Sequence, residues 1–293
     1  MGLVNVNGVK KYYDQDTQTL NYFKMYDKGF ETYPVNLLRI KIVQKRLKKF
    51  KIKSIYDVGC GSCGAMLRLL KEGYKVEGSD FSKKMIQSGK NYLENAGFDS
   101  DLIKVGNLEK RSTLPKKEFD AVLALGVFPH LTNDKRALKN IHKIVKNRGK
   151  IFIQFRNDLF SAFTQNQYSN DFFLNRVIKK ENIPKKLLNE VEEFYEKRFV
   201  NTKRIRKGEG KITYGDILAK FHNPLTVESE LFNPTGFSVD KIHFYHYHAL
   251  PTYFQNKYPK LYDKLSLKME KPNDWRGNFM ASVFVVEATK SKK

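Results

Sequence analysis

The stretch Ser54-Ile55-Tyr56-Asp57-Val58-Gly59-Cys60-Gly61-Ser62-Cys63-Gly64 decides how the rest of the chain is read. Ile55, Tyr56 and Val58 read as a short buried strand, with Asp57 at its C-terminal end. Gly59 and Gly61 follow at alternate positions, and Ala65-Met66-Leu67-Arg68-Leu69-Leu70 opens a helix. A strand, a tight glycine turn and a helix start bring backbone N–H groups and the positive end of a helix dipole close to a ligand.

The spacing Gly59-x-Gly61-x-x-Gly64 fits a dinucleotide fingerprint, and Asp80 lies near the offset of an acid that holds a ribose. Asp57 shifts the balance. A carboxylate just before the first glycine faces a pyrophosphate poorly, because like charges repel, and suits a ligand with a cationic amine and sulfonium. The run Asp57-Val58-Gly59-Cys60-Gly61-Ser62 resembles the first motif of class I S-adenosylmethionine (SAM) methyltransferases.

Working outward, residues 1–34 are polar and aromatic and read as an arm, either a lid or a surface-packed segment. Val35 to Phe50 reads as an amphipathic helix. After the glycine turn, Tyr74 to Asp80 is a second strand ending in an acid, and Ser82 caps a helix that stops near Gly97. Leu102 to Val105 and Phe119 to Leu125 are the third and fourth strands. Thr132 is expected to cap the next helix, and Lys150 to Phe155 is the fifth strand. Strand and helix alternate, so the sheet is expected to be doubly wound and mostly parallel. The pattern breaks over residues 157–222, which read as a helical insertion at the C-terminal edge of the sheet, where ligands bind in open α/β folds. Leu225 to Glu228 reads as a helix start, with Gly236 just past its end. Val239 to His248 and Phe279 to Ala288 then make an antiparallel pair closing a seven-stranded α/β sheet. The implied units are an N-terminal arm and helix (1–50), a SAM-binding core (51–156), a substrate cap (157–222), and a C-terminal helix and strands (223–293).

The resemblance covers residues 36–156, and the last two strands more loosely. It implies that Gly59, Cys60 and Gly61 pass closest to the methionine moiety, with Asp57 holding its amino group. Asp80 would accept the ribose hydroxyls and Phe81 would lie against adenine. Asn107, with Leu108 beside it, stands where the family often has Asp for the adenine amino group. Leu125 and Gly126 would offer backbone to the methionine end. Cys63 departs from the family, which usually has Gly there.

Several polar residues fall near the ligand edge. His130, in Val127-Phe128-Pro129-His130-Leu131, resembles a histidine that precedes the helix after the fourth strand in small-molecule methyltransferases. It either touches substrate or packs against that helix. Arg156 and Asn157 end the fifth strand, and Arg156 either binds an anionic group or pairs with the insertion. Ile242 to His248 holds half of the six histidines. Alternation places His243, Tyr245 and Tyr247 on one face and Phe244, His246 and His248 on the other. His246, His248 and His222 are therefore candidate bases, with Tyr245 and Tyr13 as substrate contacts. Buried aromatic packing is the alternative for the strand. No carboxylate is interleaved among these histidines, so no metal is expected.

No Asn/Asp-Pro-Pro-Tyr/Phe run follows the fourth strand, which weakens a base-methylating role on DNA or RNA. The formal net charge of +23 is mostly scattered lysine and reads as solvated surface, although Lys203-Arg204-Ile205-Arg206-Lys207 is denser. Cys60 and Cys63 are the only cysteines. Their Cys-x-x-Cys spacing falls where the turn needs small side chains, which favours packing over redox chemistry. No long apolar run and no signal-peptide core stands out, so a cytoplasmic protein without a membrane span is expected. The resulting expectation is a SAM-dependent methyltransferase that releases S-adenosylhomocysteine. Its acceptor would be an oxygen or nitrogen of a small molecule, a sugar or a nucleotide-linked or capsular glycan. RNA methylation, a SAM-binding pseudo-enzyme and a nicotinamide oxidoreductase are the alternatives.

Overall fold

The computed structural model describes residues 6–15, 22, 24–27, 29, 31–199 and 219–291. The helices α1 (Val6–Tyr13) and α2 (Val35–Leu47) precede the sheet. Leu37, Ile40, Val43 and Leu47 form the buried stripe of α2, at the three- and four-residue steps that keep side chains on one helix face. β1 (Ser54–Val58) runs through the glycine turn into α3 (Gly64–Lys71). β2 (Lys75–Asp80), α4 (Lys83–Asn95), β3 (Ile103–Val105), β4 (Phe119–Ala124), α5 (Asp134–His142) and β5 (Val145–Arg156) follow. Ser82 caps α4, its hydroxyl accepting from the Met85 N–H at 3.1 Å. Thr132 does not cap α5. Asn133 takes that role by accepting from the Arg136 N–H at 2.9 Å, while the Thr132 hydroxyl donates to Glu109.

The seven strands lie in the order β3-β2-β1-β4-β5-β7-β6. The first five are parallel. β7 (Ala281–Lys290) inserts antiparallel between β5 and β6 (Phe237–Tyr247). Apolar clusters cover both faces. One gathers Phe128, Phe155, Phe232, Phe284 and Tyr247, and the other gathers Ile40, Leu47, Met66, Leu93, Phe152 and Tyr245. The second face also buries charge: Arg46 grips Glu287 with two bonds at 2.6 and 2.8 Å, and His243 lies 2.9 Å from the same carboxylate.

Tyr245 and Tyr247 do not share a face. His246 adopts a left-handed backbone conformation, φ +58°, which interrupts the pleat and sends Tyr247 to the opposite cluster. Because β6 is antiparallel to β7, and β7 to β5, β6 points the same way as β5. Its C-terminal end reaches the ligand edge, but at the far margin of the sheet.

The segment after β5 carries α6 (Phe160–Thr164), α7 (Gln167–Asp171), a wide turn over Phe172–Val177 and α8 (Lys185–Glu196). Its two ends are stitched together: His222 N–H donates to the Arg156 carbonyl at 2.8 Å, and Asp158 N–H to the His222 carbonyl at 2.9 Å. The basic run Lys203–Lys207 lies outside the described residues. Between β6 and β7 run α9 (Tyr253–Lys257), α10 (Pro259–Lys268) and α11 (Gly277–Met280). Among the described residues no helix is long and apolar enough to cross a membrane.

Candidate active site

A cavity opens at the C-terminal ends of β1, β2 and β4. Val58, Gly59 and Gly61 form its floor. Asp80, Phe81 and Met85 come from the end of β2 and the start of α4. Gly106 to Glu109 close one side, and Leu125 to Val127, His130 and Leu131 another. Val9, Tyr13 and Tyr22 come from the N-terminal arm. The arm therefore packs over the cavity.

The glycine turn is needed for close approach. Gly59 has φ +71°, and a Cβ there would run into the Val127 side chain. Gly61 has φ +54°, and a Cβ there would lie 2.6 Å from the Tyr22 ring. The acid ending β2 is tied to this turn. Asp80 accepts from the Gly61 N–H at 3.0 Å and from the Ser82 N–H at 2.9 Å. Burial nevertheless pushes its carboxyl up to about 6, against the pull of these amides. Asp57, 2% exposed, is pushed up to about 7 by burial, partly offset by the Arg39 guanidinium.

Other predicted residues take more local roles. Cys60 turns its thiol toward Gly78 of β2, and the Cys63 sulfur packs on Gly89 of α4, so neither side chain lines the cavity. Cys63 occupies the left-handed position before α3, φ +69°. Asn107 lines the cavity, but its amide oxygen already accepts from the Glu109 N–H at 2.8 Å. Its second lone pair is what remains for a ligand. His130 lies on the wall with Nε2 3.3 Å from the Tyr13 hydroxyl, and the two rings meet edge to face. The Tyr13 and Phe81 rings are 6.4 Å apart.

The remaining candidates do not line this cavity. Asn157 is fully buried and spends its amide nitrogen on the carbonyls of Gly277, Asn278 and Ala281. Arg156 lies over the Phe221 ring at 4.1 Å and reaches the Ala219 carbonyl. His222 bonds Asp134 at 3.1 Å and packs on Phe155 at 4.6 Å. His246 bonds the Ser282 hydroxyl at 2.8 Å, and His248 bonds Tyr262 at 2.8 Å. Burial lowers the imidazole of His246 to about 4 and holds that of His248 well below its usual range. A base that weak is poorly matched to neutral pH, and both rings sit at the margin of the sheet. Tyr245 is fully buried, beneath α2.

Arg39, on α2, escaped the sequence reading because it sits among Lys41, Lys45 and Arg46 in an amphipathic pattern. Its guanidinium is buried. It donates to Gln154, Asn36 and the Tyr26 hydroxyl, and its Nε has no partner. Nη1 lies 3.2 Å from where a Cβ on Gly126 would stand, just behind the cavity wall. Only its burial distinguishes it from its basic neighbours.

Residues 56–153 match the model of a methyltransferase domain family. This region is similar to a methyltransferase domain. The strand order and the antiparallel β7 are those of the class I SAM-dependent methyltransferase fold. The chain's sequence relatives include ubiquinone biosynthesis O-methyltransferases. That of Coxiella burnetii is 26% identical over 149 residues, covering 50% of this chain and 61% of the relative. That of Pelagibacter ubique is 28% identical over 138 residues, covering 44% and 56%. The match thus spans about six-tenths of the length of these curated relatives. Among solved structures, magnesium protoporphyrin IX methyltransferase of Synechocystis PCC 6803 with bound S-adenosylhomocysteine superposes with a TM-score of 0.57. It is 14% identical and covers 98% of this chain and all of that one. Phosphoethanolamine N-methyltransferase 2 of Haemonchus contortus, in complex with SAM, gives 0.56 at 15% identity, covering 99% of this chain and 61% of that one. At such identities the likeness is one of fold.

The lining can be compared with SAM, the ligand bound in the Haemonchus contortus structure. The ligand has an ammonium, a carboxylate, a vicinal diol and an aromatic base. The cavity offers the oriented carboxylate of Asp80 and the Phe81 ring, whereas the buried carboxylate of Asp57 and the buried Arg39, whose Nε has no partner, are not part of its lining.

Proposed function

We propose that this chain transfers the methyl group of SAM to an oxygen of a small organic acceptor. The observation that carries the reading is the convergence of the glycine turn, Asp80 and His130 on one cavity roofed by the N-terminal arm. In this reading Asp80 accepts both ribose hydroxyls and Phe81 lies against the base. Asp57 and Arg39 hold the two ends of the amino-acid moiety. Bound SAM supplies an electrophilic methyl and a sulfide leaving group. The protein's work is then alignment, exclusion of water and removal of one proton. His130 accepts that proton from the acceptor hydroxyl, and the Tyr13 hydroxyl at its Nε2 orients the ring.

Oxygen is preferred over nitrogen because the sequence relatives are named O-methyltransferases. Val9, Tyr13, Tyr22 and Leu131 add apolar and aromatic surface to the lining, which favours an acceptor with a flat or apolar body over a sugar or glycan. The test supplies SAM labelled in its methyl group to the protein with a small-molecule extract or with purified RNA. Label entering the small-molecule fraction, and lost in Asp80→Ala, supports the reading. Label entering RNA alone overturns it.

A further inference from the structure

Twelve large hydrophobic side chains are prominently exposed among the described residues, and six of them lie on the connection between β6 and β7: Leu250, Tyr253, Tyr258, Leu261, Trp275 and Phe279. Trp275, 72% exposed, is the only tryptophan of the chain. The same connection carries Lys257, Lys260, Lys264, Lys268 and Lys271, all exposed. On α10 the order is set by helical period. Tyr262 and Ser266 are buried one turn apart, which leaves Lys260, Lys264 and Lys268 in an exposed row beside Leu261. The connection leaves the sheet at the edge where the cavity opens, because β6 runs in the direction of β5.

We propose that this connection docks the protein onto an anionic lipid bilayer. Four of the six exposed hydrophobics are Tyr, Trp or Phe, the rings that settle at the headgroup level. They are interleaved with lysines, whose stems lie along apolar surface while their heads meet lipid phosphates. A protein partner fits less well, since the buried centres of protein interfaces are depleted in lysine. The connection is net basic, its five lysines and Arg276 outnumbering Asp263, Glu270 and Asp274. The net charge of +23 adds long-range attraction to an anionic surface, and the rings add a shallow apolar anchor. The proposal does not depend on methyl transfer, and its test does not measure it.

The full chain is mixed with vesicles of phosphatidylcholine alone or with phosphatidylglycerol, and the emission of Trp275 is followed alongside cosedimentation. The expected result is binding to the anionic vesicles with a blue shift of the emission, since the single tryptophan reports its own burial. Leu261→Ser with Phe279→Ser should lower partitioning about ten-fold or more, and Lys260→Glu with Lys264→Glu roughly a hundred-fold. All four side chains are exposed, and an unchanged melting temperature shows that each variant is folded. Cosedimentation without a blue shift, abolished by about 0.5 M salt, means charge adsorption alone and overturns the proposal. So does an absence of binding, or self-association of the protein that Trp275→Ala abolishes, which would assign the patch to a second copy.

Discussion

Asp80 accepts a hydrogen bond from the backbone N–H of Gly61 at 3.0 Å, so the end of β2 and the turn after β1 are held as one unit. The acid is therefore oriented before any ligand arrives, and the residue is 7% exposed. Asp80→Ala should weaken SAM binding by about 1.5–3 kcal/mol, roughly ten- to a hundred-fold, because a charged acceptor is lost. Calorimetry with SAM reads this directly. Unchanged affinity would remove Asp80 from the cofactor site.

Asp57 supplies a pH dependence. Burial raises its carboxyl to about 7, so below that pH the free protein carries a proton there. Binding an ammonium group requires the carboxylate, and the proton must then leave. SAM affinity should be flat above pH 7 and fall up to about ten-fold per unit below it. The effect on stability has the opposite sign. The folded chain binds this proton more tightly than the unfolded one, so the group favours folding at low pH, and that contribution is lost as pH rises through 7. Asp57→Asn should flatten the binding profile between pH 7 and 6, leaving only the fall below about 6 that Asp80 produces. A slope that persists between pH 7 and 6 in the variant would assign that titration elsewhere.

His130 and the histidines of β6 should separate cleanly. His130→Ala should lower methyl transfer by about 10²–10⁴-fold with little change in SAM affinity, as loss of a general base does. His248→Ala should leave transfer near the parent rate and lower the melting temperature, since the Tyr262 hydroxyl loses a buried partner. Single-turnover transfer and thermal unfolding of both variants decide it. A transfer rate that collapses in His248→Ala alone would return catalysis to β6.

Glu287 is fully buried on β7 between Arg46 and His243. The hydrogen bonds from these two partners draw its carboxyl down to about 2 despite burial. The charge therefore stabilises the fold above the ordinary carboxylate range, and that stability is lost as pH falls toward 2. Glu287→Gln should cost about 3 kcal/mol or more in denaturant unfolding, because Arg46 is left without its partner. A loss below ~1 kcal/mol would show that solvent already compensates Arg46.

Much of this protein could be read from local pattern. The alternation of strand and helix, the glycines at 59 and 61, Ser82 as a cap and Asp80 at a strand end are short-range signals. Each depends on φ, on side-chain period or on a few neighbouring residues, so neighbours along the chain suffice to specify it. The placement of Asp80, Phe81, Leu125 and Gly126 around one cavity follows from parallel strands whose C-terminal ends must share an edge.

What packing decided could not be read that way. Arg39 looks like any lysine-flanked residue of an amphipathic helix until α2 lies across the sheet and buries it against Gln154 and Tyr26. His246 and His248 look like a catalytic cluster until β6 takes the edge of the sheet and burial leaves their rings neutral. Tyr13 and His130 are 117 positions apart, and only the folded arm brings them together. In each case the deciding quantity is desolvation. It depends on which distant segments cover a side chain, and local sequence carries no record of that.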